Sequence, residues 1–157
     1  MKLEFLIIHC TATPAGREVT SDEIRRWHTS PKSKGGRGWD RVGYAKLFHL
    51  DGSSYDFIKD NGDNTVDPWE VTYGALGMNH KSRHIVYAGG GNGKVAVDTR
   101  TGPQKYRMQA YVLEFVRKHP DVLVCGHKDV NATSCPGFDV AAWCRSIGIS
   151  EKNIYKK

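Results

Sequence analysis

The stretch LEFLIIHCTATP, residues 3–14, has the pattern of a buried β-strand that ends in a turn. Residues 3–10 are mostly apolar and partly β-branched, which is typical of a strand. The turn that follows is Thr11-Ala12-Thr13-Pro14. The stretch therefore predicts a buried strand, with His9 near its end and just before the turn.

Strand-like and helix-like segments alternate along the rest of the chain. The residues Thr20-Ser21-Asp22-Glu23 predict a helix start at which Thr20 accepts from the Glu23 amide and Glu23 reaches back. Asp51-Gly52 predicts a hairpin between strands at residues 42–50 and 55–58. Pro103 predicts the start of a second helix, which has Tyr106, Ala110 and Leu113 on its apolar face and ends near His119.

The remaining segments complete an alternating pattern. Strands are predicted at residues 84–88 and 122–125, and a last helix, with Trp143 on its buried side, is predicted at residues 138–147. No repeat, low-complexity tract or linker divides the chain. The sequence therefore predicts an α/β fold: a single domain over residues 1–157, with a central mixed β-sheet flanked by helices.

Composition excludes several classes of protein. Hydrophobic residues make up 39% of the 157 residues and charged residues 25%, which is an ordinary globular balance. The longest apolar run, Phe5–Ile8, is far shorter than the ~20 residues that a membrane span needs. The N-terminus lacks the pattern of a signal peptide, so we expect synthesis in the cytoplasm and reduced cysteines. The net charge of +6 suits an acidic partner, but no nucleic-acid-binding motif accompanies it and no nucleic acid is expected.

Two histidines and a cysteine are the candidates for chemistry. His9 ends the first strand, His127 follows the strand at residues 122–125, and Cys135 lies in the loop closed by Pro136-Gly137. Two imidazoles and one thiolate form a plausible three-ligand zinc set with an open fourth position. No pair has the close spacing of a known ligand motif, so the set must be assembled by the fold. From spacing alone, hydrogen-bonded histidines and an inert cysteine remain the alternative.

Several motifs resemble those of the type 2 N-acetylmuramoyl-L-alanine amidases, the superfamily that includes phage amidase lysozymes and peptidoglycan recognition proteins. The two most specific are IIHCTAT at residues 7–13 and GHKDV at residues 126–130, followed by TSCPGFD at residues 133–139. The supporting matches are IRRWH at residues 24–28, VGY at residues 42–44 and GMNHKS at residues 77–82. The resemblance, in order and in separations, covers roughly residues 3–145, nearly the whole chain.

The resemblance implies roles for particular residues. His9, His127 and Cys135 would hold one catalytic Zn²⁺ ion. Tyr44 takes the place of the active-site tyrosine, and Thr133 stands where some members have a lysine and others a threonine. The candidates for contact with substrate are Asn79, in the central Asn-containing loop, and the aromatic residues Trp39 and Trp69. The chain departs from some members at Gly74, where they have a histidine.

The implied activity is hydrolysis of the amide between the muramoyl lactyl group and L-alanine of peptidoglycan. The implied protein is a phage or prophage lysin that acts on the wall, or on muropeptide fragments, after lysis or assisted export. We expect a monomer without a separate wall-binding module and without membrane association; a regulatory protein partner stays open. The alternative is a peptidoglycan recognition protein that binds without cutting. Members of that kind have lost the cysteine ligand, so Cys135 favours the enzyme.

Overall fold

The computed structural model describes residues 1–157, which form three helices and seven strands. In chain order these are β1 (Phe5–Cys10), β2 (Thr13–Pro14), α1 (Ser21–Thr29), β3 (Lys46–Phe48), β4 (Ser54–Asp56), β5 (Ser82–Tyr87), β6 (Gly90–Gly91), α2 (Gly102–Lys118), β7 (Leu123–Gly126) and α3 (Val140–Ser146). Short 3₁₀ turns lie between them, among them Pro68–Glu70 and His127–Asp129.

Five strands form the central sheet, in the order β4-β3-β5-β1-β7. β1 pairs in parallel with β5 on one side and β7 on the other, and β3 pairs in parallel with β5. Only the β3–β4 hairpin is antiparallel. The predicted α/β fold with a central mixed sheet is confirmed. Because β1, β5 and β7 run in one direction, their carboxyl ends meet at one edge of the sheet.

Both faces of the sheet are covered, as the unbroken apolar run of β1 requires. Leu6 and Ile8 face the larger part of the core, which includes Met108 of α2 and Val140 of α3. Phe5 and Ile7 alternate to the opposite face, on which α1 also packs. His9 belongs to this second face by the same alternation. The strand therefore delivers an imidazole to the edge of the sheet on the α1 side.

The helix starts follow their capping residues. Thr20 accepts a hydrogen bond from the Glu23 amide at 3.1 Å, as predicted, but the Glu23 carboxylate bonds to Arg17 rather than reaching back. At α2 the reciprocal pattern is complete, since Thr101 accepts from the Gln104 amide and the Gln104 side chain accepts from the Thr101 amide. An ion pair thus replaces half of the predicted capping box of α1.

The apolar face of α2 was predicted wrongly. Tyr106 is 71% exposed, and the buried residues of the helix are Gln104, Met108, Val112 and Phe115. These four residues recur with a helical period that is as good as that of the predicted face. A tertiary contact determines which of the two faces is buried. The Gln104 side-chain amide donates to the carbonyls of Phe48 and Ala88, at the ends of β3 and β5. Those bonds fix which side of α2 faces the sheet.

Other differences from the prediction concern element boundaries. The strand predicted at residues 42–50 is shortened to β3, and β5 begins two residues earlier than expected. Arg83, the second residue of β5, donates a hydrogen bond from its guanidinium group to the Glu70 carboxylate at 2.6 Å. Both side chains are almost completely buried. This ion pair ties the 3₁₀ turn Pro68–Glu70 to β5. No helix combines the length and apolar composition needed to cross a membrane.

Candidate metal centre and active site

The fold brings His9, His127 and Cys135 together at the carboxyl edge of the sheet. His9 is the second-last residue of β1, and His127 directly follows β7, the neighbouring strand. Cys135 reaches them from the loop between β7 and α3, where the Cys135 carbonyl accepts from the Lys128 amide at 2.7 Å. The three potential ligand atoms lie within 4.8 Å of one another. The sequence-predicted ligand set is therefore assembled in space.

The spacing suits a tetrahedral zinc ion. Bonds of about 2.0–2.3 Å to nitrogen and sulfur place ligand atoms about 3.4–3.6 Å apart around such an ion. Here Cys135 Sγ and His9 Nδ1 are 3.9 Å apart, so small side-chain shifts would complete the geometry. Two nitrogens and one sulfur, with no fourth protein ligand in the group, match the donor set of a catalytic rather than a structural zinc site.

The protonation of the histidines also suits metal binding, which needs neutral imidazoles. Burial lowers the pKa of His9 well below its usual value, with smaller contributions from His84 and His127. Burial also lowers the pKa of His127. Asn131 donates its side-chain N–H groups to two backbone carbonyls, so its Oδ1 must accept from His127 Nε2–H at 3.0 Å. His127 Nδ1 is left with a free lone pair.

Cys135 is a thiol in the metal-free protein. A hydrogen bond with Cys10, together with burial, raises the pKa of the Cys135 thiol, while the same bond lowers the pKa of Cys10. The Cys10 amide also donates to Cys135 Sγ at 3.2 Å. A metal ion must therefore displace a proton from Cys135 as it binds, and its affinity should rise with pH.

Tyr44, the residue that the resemblance places in the active site, lies beside the ligand set. Its ring centroid is 5.2 Å from that of His9 and 5.3 Å from that of His28. Burial raises the pKa of the Tyr44 phenol, so at neutral pH the group is a hydrogen-bond donor and not a phenolate. The preceding Gly43 donates its amide to His28 Nδ1 at 2.9 Å, which anchors this segment against α1.

The other predicted residues lie at different distances from the ligand set. Thr133 Oγ1 accepts from the Cys135 amide at 3.2 Å, and its own hydroxyl hydrogen remains free to donate. Asn79 Oδ1 accepts from His84 Nε2 and from the Ala75 amide. Trp39 lies close to His28, whereas Trp69 is 54% exposed in the turn Pro68–Glu70. Direct contact of these residues with substrate stays a prediction.

Two cavities flank the ligand set. One, of about 290 Å³, is lined by Cys135, Thr133 and the loop Gly90–Lys94. The other, of about 300 Å³, is lined by His127, Tyr44, Trp39 and Arg37, among others. Arg37 stacks over Trp39 at 5.0 Å and adds a positive charge to this second cavity. An extended, partly anionic ligand would have room on both sides of the three candidate ligands.

No family model matches the chain. The endolysin of Enterobacteria phage T3 is 28% identical over 141 residues, which cover 89% of this chain and 84% of the relative. Among solved structures, the N-acetylmuramoyl-L-alanine amidase LysC from Clostridium intestinale URNW has a TM-score of 0.70 at 22% identity, covering 95% of this chain and 87% of that one. The chain is therefore similar in sequence to phage endolysins and in fold to this amidase. Drosophila PGRP-LB shares the fold, with a TM-score of 0.67 at 23% identity over 100% of this chain and 88% of that one.

Sequence reasoning missed two histidines of this candidate site. His28, on α1, contacts Trp39 and Tyr44, and His84, on β5, bonds to His9. Neither had a partner that could be named from the sequence. A signal was present for His84, because a histidine inside a fully buried strand must satisfy both ring nitrogens.

Proposed function

We propose that this chain is a zinc-dependent N-acetylmuramoyl-L-alanine amidase of a phage or prophage lysin. Its substrate is the amide between the lactyl group of muramic acid and L-alanine of the stem peptide. The observation that carries the proposal is the convergence of His9, His127 and Cys135 next to Tyr44 at one edge of the sheet. The similarity to phage endolysins supports action on the cell wall, and the fold of LysC supports the amide as the bond.

The donor set defines what the site does. His9 and His127 would each offer a neutral imidazole and Cys135 a thiolate, leaving one position open. A zinc ion held there supplies Lewis acidity, which amide hydrolysis at neutral pH requires because water alone is a poor nucleophile. The single thiolate offsets only one of the two charges of the ion. The site therefore stays positive enough to attract an electron-rich carbonyl.

Tyr44 and Thr133 act on the substrate. The neutral Tyr44 phenol donates a hydrogen bond to the scissile carbonyl oxygen, and this bond strengthens as negative charge develops there. Thr133 has a free hydroxyl hydrogen on the Cys135 side and adds a second donor without a positive charge. The two cavities receive the substrate on either side of the bond. Arg37 gives the Tyr44 cavity a preference for a carboxylate, such as those of a stem peptide.

The test is release of stem peptide from purified peptidoglycan before and after treatment with a chelator, then after zinc is added back. We expect activity to disappear with the chelator and return with zinc. A Cys135→Ser variant should fold normally, lose most of its bound zinc and release no peptide. If chelated protein or Cys135→Ser remains fully active, the metal site is wrong. If the unaltered protein binds the wall and releases nothing, the chain is a recognition protein instead.

A further inference from the structure

His84 lies behind the candidate zinc ligand His9, on the neighbouring strand. β1 and β5 are paired in parallel, with Ile7 opposite His84, and the His84 side chain is completely buried. His84 Nδ1 is 2.9 Å from His9 Nε2, and His84 Nε2 is 3.0 Å from Asn79 Oδ1. Both ring nitrogens of His84 are therefore used inside the protein, one of them on a candidate metal ligand.

The direction of this hydrogen-bond chain is fixed at its far end. The Ala75 amide can only donate, and its partner at 2.9 Å is Asn79 Oδ1, so that atom is an acceptor. His84 Nε2 must then carry a hydrogen. A neutral imidazole has one donor and one acceptor, which makes His84 Nδ1 the acceptor of a hydrogen from His9 Nε2. His9 Nδ1 is left with its lone pair, and this is the atom 3.9 Å from Cys135 Sγ.

The imidazole of His84 fits beside His9 because residue 74 is a glycine, which has no side chain to occupy the same space. A Cβ atom at Gly74 would lie 2.4 Å from His84 Nδ1 and 2.5 Å from its Cγ, closer than real Cβ contacts allow. Positions 74 and 84 thus compete for one volume next to His9. Gly74, which stands where some members of the superfamily have a histidine, leaves space for the His84 side chain from β5.

We propose that His84 is a positioning residue of the metal centre, which holds His9 in the tautomer and orientation that bind zinc through Nδ1. The inference rests on the proposed zinc site. Partners of this kind, which orient a metal-bound histidine, change metal affinity by about 10–100-fold when removed. His84 touches neither the substrate nor the metal position, so its effect should appear in zinc binding as well as in activity.

Zinc affinity, measured by competition with a chromophoric chelator, tests the role directly. His84→Leu keeps much of the side-chain volume and removes both hydrogen bonds, and we expect it to bind zinc about 10–100-fold more weakly than the unaltered protein. His119→Leu is the matched control, because His119 is also buried and bonded at both ring nitrogens, to Asn64 and Asp60. It should bind zinc as the unaltered protein does. Equal affinity in all three proteins would overturn the role of His84.

A second measurement needs no variant that might fail to fold. Long-range ¹H–¹⁵N spectra of the metal-free, unaltered protein report which ring nitrogen of each histidine carries hydrogen. We expect Nε2–H for both His9 and His84. A hydrogen on His9 Nδ1 would overturn the inference even if zinc binds. Absence of zinc binding by the unaltered protein would instead overturn the proposed function, and this inference with it.

Discussion

His28 should make the stability of the protein depend on pH in a calculable way. Its side chain is 7% exposed, and Nδ1 accepts the Gly43 amide hydrogen. Burial, with a smaller contribution from Arg37, lowers its pKa to about 4. In the unfolded chain a histidine has a pKa of about 6.5. As the pH falls below about 6.5, His28 therefore becomes protonated in the unfolded state while it stays neutral in the folded state.

The sign and size follow from this difference. Above about pH 7 both states are neutral at His28 and the group adds no pH dependence. Between about pH 6.5 and pH 4, each unit of acidification costs the folded state about 1.4 kcal/mol at this one site. At about pH 5 the accumulated loss is roughly 2 kcal/mol.

The assay is urea unfolding of metal-free protein at about pH 7.5 and about pH 5, for the unaltered chain and for His28→Gln. The variant loses packing at both pH values, but it has no histidine to protonate at this position. We expect the stability gap between the two proteins to narrow by roughly 2 kcal/mol on acidification, because all other titrating groups cancel in the comparison. A gap that stays the same would refute the reasoning that His28 is buried in its neutral form.

Two other variants have distinct expected outcomes. Tyr44→Phe should retain zinc and lower turnover by about 100-fold, because one donor to the developing oxyanion is lost; unchanged turnover, measured as peptide release, would remove Tyr44 from the mechanism. Arg83→Met should reduce the free energy of unfolding by about 3–5 kcal/mol, because it leaves the buried Glu70 carboxylate uncompensated. The double variant Arg83→Met/Glu70→Leu should recover much of that loss in the same unfolding assay, and a double variant as unstable as Arg83→Met would contradict the explanation.

Local patterns in the sequence were sufficient for the elements that build the edge of the sheet. The apolar run of β1, the Thr20 cap of α1 and the Asp51-Gly52 hairpin each depend on neighbours a few residues away, and the structure contains all three. The face of α2 could not be chosen this way. Two stripes have the same helical period, and the selecting contacts of Gln104 join residues 16 and 56 positions apart in sequence.

The same distinction between local patterns and contacts of distant residues applies to the candidate site. His9, His127 and Cys135 were identified as a ligand set by resemblance, since their spacing alone favoured hydrogen-bonded histidines and an inert cysteine. The role of His84 depends on the register of β1 against β5 and on the space above Gly74. Neither the strand register nor this space can be predicted from the identities of residues 74 and 84 alone. The resemblance marked Gly74 as a departure, and only the packing shows which side chain uses the space.

Identification of the bond that is cut tests the central claim most directly. Purified peptidoglycan is digested with the zinc-loaded protein, and the soluble products are separated and analysed by mass spectrometry. The account predicts free stem peptides that begin with an unblocked L-alanine, and glycan chains that keep their lactyl groups and gain no new reducing ends. New reducing ends, or stem peptides cut internally and still attached to the glycan, would contradict it.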